Sequence, residues 1–325
     1  MNWKDIQTMT VSVVCITYNQ EKYIAEAIES FLMQETNFDY EILIHDDAST
    51  DATPEIIRQY ERAHPDLIKP VYQKENQYSK GIHVLDFYKS YAKGKYIAIC
   101  EGDDYWTDPN KLQKQVDYME AHQDCSACVH AACLVDAKTH KTVGKVRPSL
   151  RSRDYTPEEV ILGGGGLFAT NSIMYARAFS KRPEFFYNCS IGDFPLMIHL
   201  ALSGRLHYMD TCMSAYRIGG DNSWTAKMSK ASIEIKKKHM DRIENMLKEV
   251  DEYTKKEYND IIEQKIKKNR FNFLISIGDF EAAKSEFYRD EYKALGQYER
   301  FKIRLRLSFK RFIMSSKTIK RKYEE

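Results

Sequence analysis

The amino-acid sequence predicts an α/β protein with a mostly parallel central sheet, flanked by helices and followed by a helical C-terminal region. Between residues 11 and 115, short apolar runs alternate with segments of helical periodicity. This order is typical of parallel strands joined by helical crossovers. After Lys227 the alternation stops, and Lys, Glu and Ile dominate the composition. We therefore expect two regions, 1–227 and 228–325.

The elements of the first region follow from these runs. VSVVCITYN predicts a buried strand, and the next helix places Ile24, Ile28 and Phe31 on one face. Thr53 is expected to cap the second helix, with Pro54 at its first position. The predicted strands lie at 11–19, 40–50, 67–73 and 95–100, and the predicted helices at 21–35, 51–65 and 82–92. Together they give a Rossmann-like sheet with helices on both faces.

The composition argues against several classes of protein. The 325 residues carry a formal net charge of +2, which gives no general attraction to nucleic acid. We find no apolar run of membrane-spanning length and no leader-like N-terminus, so we expect a cytoplasmic protein. Seven cysteines, an odd number, fit reduced thiols better than a disulfide framework. CSACVHAAC predicts a buried strand of small residues, since a zinc site needs a second ligand pair.

Acidic and hydroxyl-bearing residues follow three of the predicted strands. TYN ends the first strand, HDDAST the second and EGDD the fourth. Parallel strands present their carboxyl ends at one edge of the sheet, where ligands bind, so these residues should meet. Asp103 and Asp104 are adjacent, and like charges this close are unfavourable unless something positive lies between them. The pattern predicts a cation or a substrate at this edge.

Three motifs in this order resemble glycosyltransferase family 2: VSVVCITYNQEKYIAEAIESFLMQ, EILIHDDASTDAT and KYIAICEGDDYW. The resemblance continues through SIGDFPLMIHLALSG to AYRIGGDNSWT and covers residues 11–225. It implies the A-type glycosyltransferase fold and inverting transfer from a nucleotide-diphosphate sugar to a glycan or lipid-linked glycan. The similarity is to bacterial members that build capsule, lipopolysaccharide or other surface polysaccharides. The last hundred residues are not covered.

The resemblance implies a metal-binding role for the two adjacent acids. The diphosphate of a sugar nucleotide gains negative charge when the anomeric bond breaks, and a hard divalent cation held by carboxylates neutralises it. By this resemblance Asp104 binds Mn²⁺ or Mg²⁺, and Asp103 contacts the ribose or completes the metal shell. The alternative is a solvated loop in which both acids only cap the helix that follows.

The ends of the first two strands resemble the nucleotide pocket of the family. Tyr18, between Thr17 and Asn19, would stack on the base. Asp47 would accept a hydrogen bond from the ring N–H of the base, and Asp46 would support the turn or the ribose. This pattern suits uridine, and thymidine would satisfy the same contacts. The alternative role for Asp47 is to cap the helix that opens near Thr53.

Inverting transfer also needs a base that takes the proton of the acceptor hydroxyl. SIGDFPLM lies where the family has a Glu-Asp motif at the start of a helix, here with Gly192 in place of Glu. The resemblance makes Asp193 the predicted catalytic base. The alternative is that Asp193 serves only as the N-cap of this helix.

One position departs from the family pattern. After the Tyr-Arg pair many relatives have a His that completes the metal shell or contacts the diphosphate, and here this position is Gly219. Asp221, a water molecule or the substrate phosphates would then supply the third ligand. Arg217 is predicted to bind the nucleotide and, with Trp224 and its neighbours, to form a lid over the diphosphate.

The four consecutive glycines of the middle third predict a mobile loop. They lack the following Gly-Lys-Ser/Thr of a phosphate-binding P-loop. We expect Gly165 and Gly166 to lie where the acceptor is recognised.

Two other functions share this kind of fold. A nucleotidyltransferase that makes sugar nucleotides usually has a Gly-rich, basic loop after its first strand, where this chain has TYNQEKY. A non-catalytic nucleotide-sugar binding module would be favoured by loss of Asp103, Asp104 or Asp193, and all three are present.

The last segment is basic and aromatic. From Arg300 to Lys322 there is no acidic residue. If this segment is helical, Phe301, Phe309 and Phe312 share one face, an arrangement that suits an anionic membrane surface. We predict peripheral association with the inner face of the cell membrane, beside lipid-linked acceptors. The alternatives are that these side chains pack on the helical region, or that FKIRLRLSF forms a strand.

Overall fold

The computed structural model describes residues 9–303, except 83, 190, 221 and 222. The chain forms two compact units, Met1–Ala231 and Ser232–Glu325. The first unit contains the central sheet. In its described part, the second unit consists of helices, in agreement with the predicted helical C-terminal region. The division falls after Ala231, at the end of a short helix, rather than at Lys227.

The strands and α-helices are numbered in chain order. The strands are β1 (Val11–Thr17), β2 (Tyr40–Asp46), β3 (Ile68–Tyr72), β4 (Tyr96–Ile99), β5 (Tyr105–Trp106), β6 (Cys125–Asp136), β7 (Thr142–Val146), β8 (Arg153–Tyr155), β9 (Met174–Ala176) and β10 (Arg205–Ile218). The helices are α1 (Ile24–Leu32), α2 (Thr53–Ala63), α3 (Lys111–Ala121), α4 (Pro157–Gly163), α5 (Glu184–Tyr187), α6 (Asp193–Ser203), α7 (Trp224–Lys230), α8 (Ile233–Tyr253), α9 (Asn259–Ile277), α10 (Phe280–Ala283) and α11 (Arg289–Ala294).

The sheet has the order β3-β2-β1-β4-β9-β6-β10-β5, with β7 beside β6 and β8 beside β10. The β3-β2-β1-β4 block is parallel, as predicted from the alternation of strands and helices. β6 and β10 form a further parallel pair, whereas β5, β7, β8 and β9 pair antiparallel to their neighbours. The predicted α/β fold with a central sheet flanked by helices is confirmed, and its second half is a mixed sheet.

Apolar burial holds the parallel block together. Val11, Val13 and Cys15 of β1 are fully buried, as is the predicted face of α1 with Ile28 and Phe31. The ring centroid of Phe31 lies 4.8 Å from that of Trp106 in an edge-to-face contact. Each fully buried side chain of this kind contributes about 1.5–3 kcal/mol. The end of β1 is therefore a rigid support for the residues that follow it.

Three local expectations differ from the structure. Thr53 is the first residue of α2 rather than its cap, which is Ala52. The Thr53 hydroxyl instead accepts a hydrogen bond of 2.8 Å from the backbone N–H of Gln20, so it ties α2 to the loop after β1. The helix expected at 82–92 is a 3-10 helix, Val84–Ser90. α1 is shorter than the predicted 21–35, because it begins at Ile24.

The cysteine-rich segment forms β6, as predicted. Cys125, Cys128 and His130 are buried in this strand, and all seven cysteines of the chain are free thiols. Within the part of the chain that the structure describes, no helix is both long enough and apolar enough to span a bilayer.

The second unit is organised around α8 and α9. α8 begins after Ser232, whose hydroxyl accepts a hydrogen bond from the backbone N–H of Ile235. Arg270 of α9 donates two hydrogen bonds, of 2.8 and 2.5 Å, to the carboxylate of Glu244 on α8. α9 ends at Ile277, and Gly278 follows it with a φ of +76°, the left-handed conformation that glycine adopts most readily.

Candidate active site

The ends of β1, β2 and β4 meet at one edge of the sheet. Thr17, the last residue of β1, is in register with Asp46, the last residue of β2. The backbone N–H of Asp47 donates to the carbonyl of Thr17 (3.0 Å), and that of Gly102 donates to the carbonyl of Ile16 (2.9 Å). The three polar segments expected at this edge are therefore joined directly by main-chain hydrogen bonds.

Gly102 is needed because the backbone runs close to the loop after β1. A β-carbon at this position would lie 2.5 Å from Oε1 of Gln20 and 2.9 Å from the Thr17 side chain. These distances are too short for any side chain, so glycine is what allows the acidic segment 101–104 to lie against the end of β1.

Asp47 is buried and holds the loop that follows β3. Its two carboxylate oxygens accept hydrogen bonds from the backbone N–H groups of Gln77 (2.7 Å) and Tyr78 (3.0 Å). The ring N–H of a nucleotide base that bonds to Asp47 would share a carboxylate oxygen with one of these N–H groups. The helix-capping alternative for Asp47 finds no support, since the carboxylate reaches this loop and not α2.

Asp46 has an oxygen without a partner. Its Oδ1 is buried and makes no hydrogen bond among the described residues, whereas Oδ2 accepts from the backbone N–H of Ser49 at 3.3 Å. Burial raises the pKa of this carboxyl group. A buried oxygen of this kind is suited to a hydroxyl donor of a ligand, because an unpaired polar group in the interior is unfavourable.

Tyr18 and Asn19 belong to the loop after β1. Tyr18 is 39% exposed, so its ring is accessible to a ligand. Asn19 adopts a left-handed backbone conformation with φ of +52°. Its side-chain oxygen accepts from the backbone N–H of Thr50 (2.7 Å), and its own N–H donates to Ser49 Oγ (2.8 Å). Asn19 therefore joins the two loops that would surround a nucleotide.

Asp104 is buried, and both its oxygens are engaged. Oδ1 accepts from the backbone N–H of Arg217 (2.7 Å), and Oδ2 accepts from the side-chain amide of Asn171 (3.0 Å). Burial raises the pKa of Asp104 well above its usual value, and the charges of Asp103 and Glu101 add to this effect. The geometry gives Asp104 a supporting position and leaves Asp103 as the more accessible acid of the pair.

Glu101 is an acid of this site that the sequence analysis did not assign. Its Oε2 is buried without a hydrogen-bond partner in the described chain. Burial raises the pKa of Glu101 to about 8, and Asp103 and Asp193 contribute to this shift. The signal was present in the sequence, because Glu101 and Asp103 form an acid-x-acid pattern at the end of a strand.

Asp103 is partly exposed. Burial raises the pKa of Asp103, and a hydrogen bond from Gln20 lowers it in part. Carboxylate oxygens are the ligands that Mg²⁺ and Mn²⁺ prefer in proteins. The unpartnered oxygen of Glu101 and the side chain of Asp103 therefore fit a hard divalent cation. Among the described residues no three His, Cys, Asp or Glu side chains are grouped so as to hold a metal ion.

Asp193 is the first residue of α6. Its Oδ1 accepts a hydrogen bond of 2.7 Å from the backbone N–H of Phe194. Burial raises the pKa of Asp193 to about 6. A β-carbon at Gly165 would lie 3.7 Å from Asp193 Oδ1, whereas one at Gly166 would meet nothing within 4 Å. The glycine segment and the predicted base are therefore neighbours.

Arg217 is buried and held by acidic and aromatic residues. Its guanidinium donates to the carbonyl of Asp103 and pairs with Glu26. The guanidinium carbon lies 4.9 Å from the ring centroid of Tyr23 and 4.5 Å from that of Tyr105. In this arrangement Arg217 holds the backbone of the acidic segment. The sequence predicted only a contact of Arg217 with the nucleotide.

The predicted lid is described in part. Trp224 begins α7 and is 41% exposed, and Ser223 caps this helix through its hydroxyl. Gly219 has a left-handed φ of +78°. Asp221, a predicted third metal ligand, and residue 222 lie outside the described residues.

Comparison with known proteins gives a family match. Residues 12–178 match the family described as Glycosyl transferase family 2. A protein of Mycobacterium tuberculosis is 36% identical over 217 residues, which are 66% of this chain and 60% of that protein. The chain therefore matches less than two thirds of the length of this relative. A protein of Nostoc sp. with the name uncharacterized glycosyltransferase is 30% identical over 230 residues, 69% of both chains.

A third relative has a more specific name. The UDP-Glc:alpha-D-GlcNAc-diphosphoundecaprenol beta-1,3-glucosyltransferase of Escherichia coli is 36% identical over 114 residues, 35% of this chain and 42% of that protein.

Two solved structures have the same fold. TarS of S. aureus in complex with UDP-GlcNAc has a TM-score of 0.57 at 18% identity, and the match covers 92% of this chain and 80% of the TarS chain. A mannosyltransferase of Pyrobaculum calidifontis in complex with GDP-Man and Mn²⁺ has a TM-score of 0.56 at 15% identity and covers 93% and 87%.

Proposed function

Because the chain belongs to glycosyltransferase family 2, we propose that it transfers a sugar from a nucleotide-diphosphate sugar to a hydroxyl group, with inversion at the anomeric carbon. The observation that supports this best is the group of carboxylates at the end of β4, Glu101, Asp103 and Asp104, beside Asp193. A departing diphosphate needs a countercharge at such a place, and an attacking hydroxyl needs a base.

A divalent cation, Mn²⁺ or Mg²⁺, would supply that countercharge when it is bound. We propose that Asp103, with Glu101, holds the cation and that the diphosphate provides further ligands. Asp104, the ligand expected from the resemblance, would instead fix the acidic segment through its two hydrogen bonds to Arg217 and Asn171. The Mn²⁺ in the P. calidifontis neighbour is consistent with a cation in this fold.

The donor proposed for this chain is a UDP-sugar. Tyr18 would stack on the base, and Asp47 would accept from its ring N–H. Asp46, whose Oδ1 has no partner among the described residues, would accept from a ribose hydroxyl. Thr17 and Asn19 would hold the loops around the nucleotide, and Arg217 would act on it through the Asp103 backbone. The names of the E. coli relative and of the TarS complex, both with UDP-sugars, support uridine.

The transfer needs one proton acceptor. In the proposed step the acceptor hydroxyl oxygen bonds to the anomeric carbon while the bond to the diphosphate breaks. The hydroxyl proton moves to the carboxylate of Asp193, and the nucleoside diphosphate leaves. A pKa near 6 keeps Asp193 ionised at neutral pH and still basic enough to take a proton.

We propose a glycan or lipid-linked glycan of a surface polysaccharide as the acceptor. Gly165 and Gly166 lie on the Asp193 side, where the acceptor would enter, and Trp224 and Asp221 would cover the diphosphate. The E. coli relative acts, by its name, on a diphosphoundecaprenol-linked sugar. A cytoplasmic enzyme at the inner face of the membrane would reach such an acceptor.

A screen of sugar nucleotides tests the proposal. The purified protein is incubated with UDP-, dTDP- and GDP-sugars in Mn²⁺ or Mg²⁺, and release of the nucleoside diphosphate is measured. We expect slow, cation-dependent hydrolysis of one UDP-sugar and thermal stabilisation by UDP with Mn²⁺. Stabilisation by ATP with Mg²⁺ together with pyrophosphate release from a nucleoside triphosphate would instead identify a nucleotidyltransferase. Binding without turnover, with any acceptor tested, would identify a binding module.

A further inference from the structure

The 3-10 turn Thr170–Ser172 places three polar residues in the core. Asn171 and Ser172 are fully buried, and Thr170 is nearly so. Buried polar side chains are almost always hydrogen-bonded, so their partners indicate what a turn of this kind supports.

Asn171 makes four hydrogen bonds. Its side-chain amide donates to Asp104 Oδ2 (3.0 Å) and to the carbonyl of Ala215 (2.9 Å), and its side-chain oxygen accepts from Ser214 Oγ (2.8 Å). Its backbone carbonyl accepts from the indole N–H of Trp106 (2.9 Å). Asn171 therefore connects both ends of the segment 104–106 with strand β10.

The residue before Asn171 contacts another acid of the same segment. The side chain of Thr170 lies near Glu101 and acts against the increase of the Glu101 pKa. Asn171 thus holds the last acid of the segment 101–104, and Thr170 lies beside the first. Asp103 lies between these two acids, and Arg217 holds its carbonyl.

The contacts of Asn171 require an amide. A carboxamide donates two hydrogen bonds and accepts others, so it can serve a carboxylate, a carbonyl and a hydroxyl together. Aspartate has the same shape but no N–H, and it would place a negative charge against Asp104. Such a pair of buried carboxylates is unfavourable.

We infer that Asn171 is a positioning residue that sets the geometry of the acidic segment 101–104 for a cation and a diphosphate. The inference rests on the proposed function. Groups that orient cation-binding side chains from behind typically change metal affinity or activity by about 10- to 100-fold when they are mutated. The glycine run before this turn was expected to lie where the acceptor is recognised. The turn itself hydrogen-bonds to the acidic segment.

Asn171→Asp is the most direct test. We expect the Mn²⁺ concentration for half-maximal donor hydrolysis to rise by about 10- to 100-fold, and Mn²⁺-dependent UDP binding by calorimetry to weaken by a similar factor. A residue with a purely structural role would lower the unfolding midpoint without changing the Mn²⁺ requirement of the folded fraction.

Ser172→Ala is the matched control. Ser172 is buried in the same turn, but its hydroxyl bonds only to the carbonyl of Ala169 (2.6 Å) in the described chain. The Mn²⁺ requirement of Ser172→Ala should equal that of the wild type. Ser214→Ala removes a single hydrogen bond to Asn171 and should shift the Mn²⁺ requirement in the same direction by a smaller factor, of about threefold. It decides the question if Asn171→Asp does not fold.

The outcomes separate this inference from the proposed function. An active wild type with an unchanged Mn²⁺ requirement in folded Asn171→Asp, or in Ser214→Ala if the first variant does not fold, would overturn the positioning role alone. A wild type that shows neither Mn²⁺-dependent UDP binding nor donor hydrolysis would overturn both. Ser172→Ala with the same shift as Asn171→Asp would mean that the turn acts only through general packing.

Discussion

At the scale of single residues, two aspartates at helix starts allow a direct comparison. Asp193 begins α6 beside the acidic segment 101–104. Asp279 precedes α10 in the second unit, where its carboxylate accepts from the backbone N–H of Ala282 (3.3 Å). Both bond to the N-terminus of a helix, and Asp193 also lies near Glu101. Substitution of each by asparagine keeps an oxygen for the helix and removes basicity.

We expect Asp193→Asn to lower turnover with the acceptor by about two to four orders of magnitude, which is the usual contribution of a positioned base. Affinity for UDP with Mn²⁺ should change little. The acidic limb of the wild-type rate profile should lie near pH 6, the pKa of Asp193. Steady-state kinetics of Asp193→Asn and Asp279→Asn check this, and equal turnover in the two variants would mean that Asp193 is only a cap.

The raised pKa of Asp193 also affects stability. Its value of about 6 in the folded protein compares with about 3.9 in an unfolded chain. The protonated form is thus favoured by the fold, and its contribution to stability is present below about pH 4 and lost as the pH rises through 6. We expect Asp193→Asn to be more stable than the wild type at pH 7.5, by about 1–2 kcal/mol after allowance for partial exposure, and equal to it near pH 4.

Urea denaturation at the two pH values measures this difference. The Asp279→Asn variant is measured in parallel, and an equal gain in both variants would contradict the assignment to the environment of Asp193.

Asp103 and Asp104 should respond differently to removal of their charge. Asp103→Asn should fold normally but lose Mn²⁺-dependent UDP binding by about 10- to 100-fold. Asp104→Asn places an amide N–H₂ against the N–H₂ of Asn171, so we expect a loss of about 1–3 kcal/mol in the free energy of unfolding. Calorimetry and denaturation of both variants test this, and normal stability of Asp104→Asn with abolished Mn²⁺ binding would return the ligand role to Asp104.

At the scale of secondary structure, α3 contains a buried lysine in its first turn. Lys111 is fully buried, and its ammonium donates to Gln115 Oε1 (2.7 Å) and lies 4.0 Å from the ring centroid of Trp106. Burial lowers the pKa of Lys111 to about 7, against about 10.4 in an unfolded chain. Between these values the unfolded chain binds more protons, so this lysine makes stability rise with pH.

Lys111→Met removes the titrating group and keeps a similar volume. Its stability relative to the wild type should be higher at pH 7 than at pH 9 by about 2 kcal/mol. Lys114→Met is the control, since Lys114 is an exposed lysine of the same helix that pairs with Asp108. Parallel stability curves for wild type and Lys111→Met would exclude an effect of Lys111 burial.

The first half of the sheet could be predicted because its pattern is local. β1, β2 and β4 are apolar runs followed by polar residues, and the order of strands and helices determines that they are parallel. The antiparallel strands β5, β8 and β9 depend on pairing between distant segments, which periodicity does not encode. The helix expected at 82–92 is a 3-10 helix, Val84–Ser90, a distinction that the apolar pattern does not make.

The acidic residues of the candidate site could be picked out from the sequence, whereas the residues that hydrogen-bond to the acidic segment 101–104 could not. Asp103 and Asp193 belong to motifs that are visible in the sequence. Asn171 lies in the turn before β9, which pairs with β4, and Arg217 lies in β10, which pairs with β5, so both reach the acidic segment only in the folded sheet. Their partners lie 67 and 113 residues away in the chain, so no short motif reveals them.

At the scale of the whole molecule, we expect the C-terminal segment to determine where the protein acts. Residues 304–325 lie outside the described residues, so the predicted amphipathic helix remains an expectation from the sequence. Ile303, the last described residue, is buried with Phe280 of α10. A truncation that tests the tail should therefore begin at Arg304, because removal of Ile303 would disturb the second unit.

The tail from Arg304 to Lys322 has eight Lys and Arg residues and no acid. Each basic residue near an anionic membrane contributes about 1 kcal/mol at low salt, so their sum is large enough for binding. We expect the full chain to sediment with liposomes that contain anionic lipid and the chain ending at Ile303 to remain in solution. Donor hydrolysis should be equal in the two proteins. A full-length variant with these eight residues replaced by glutamine separates charge from length. Two results would contradict this role of the basic charge: binding of the glutamine variant to anionic liposomes, or no binding of the unmodified chain to them at low salt.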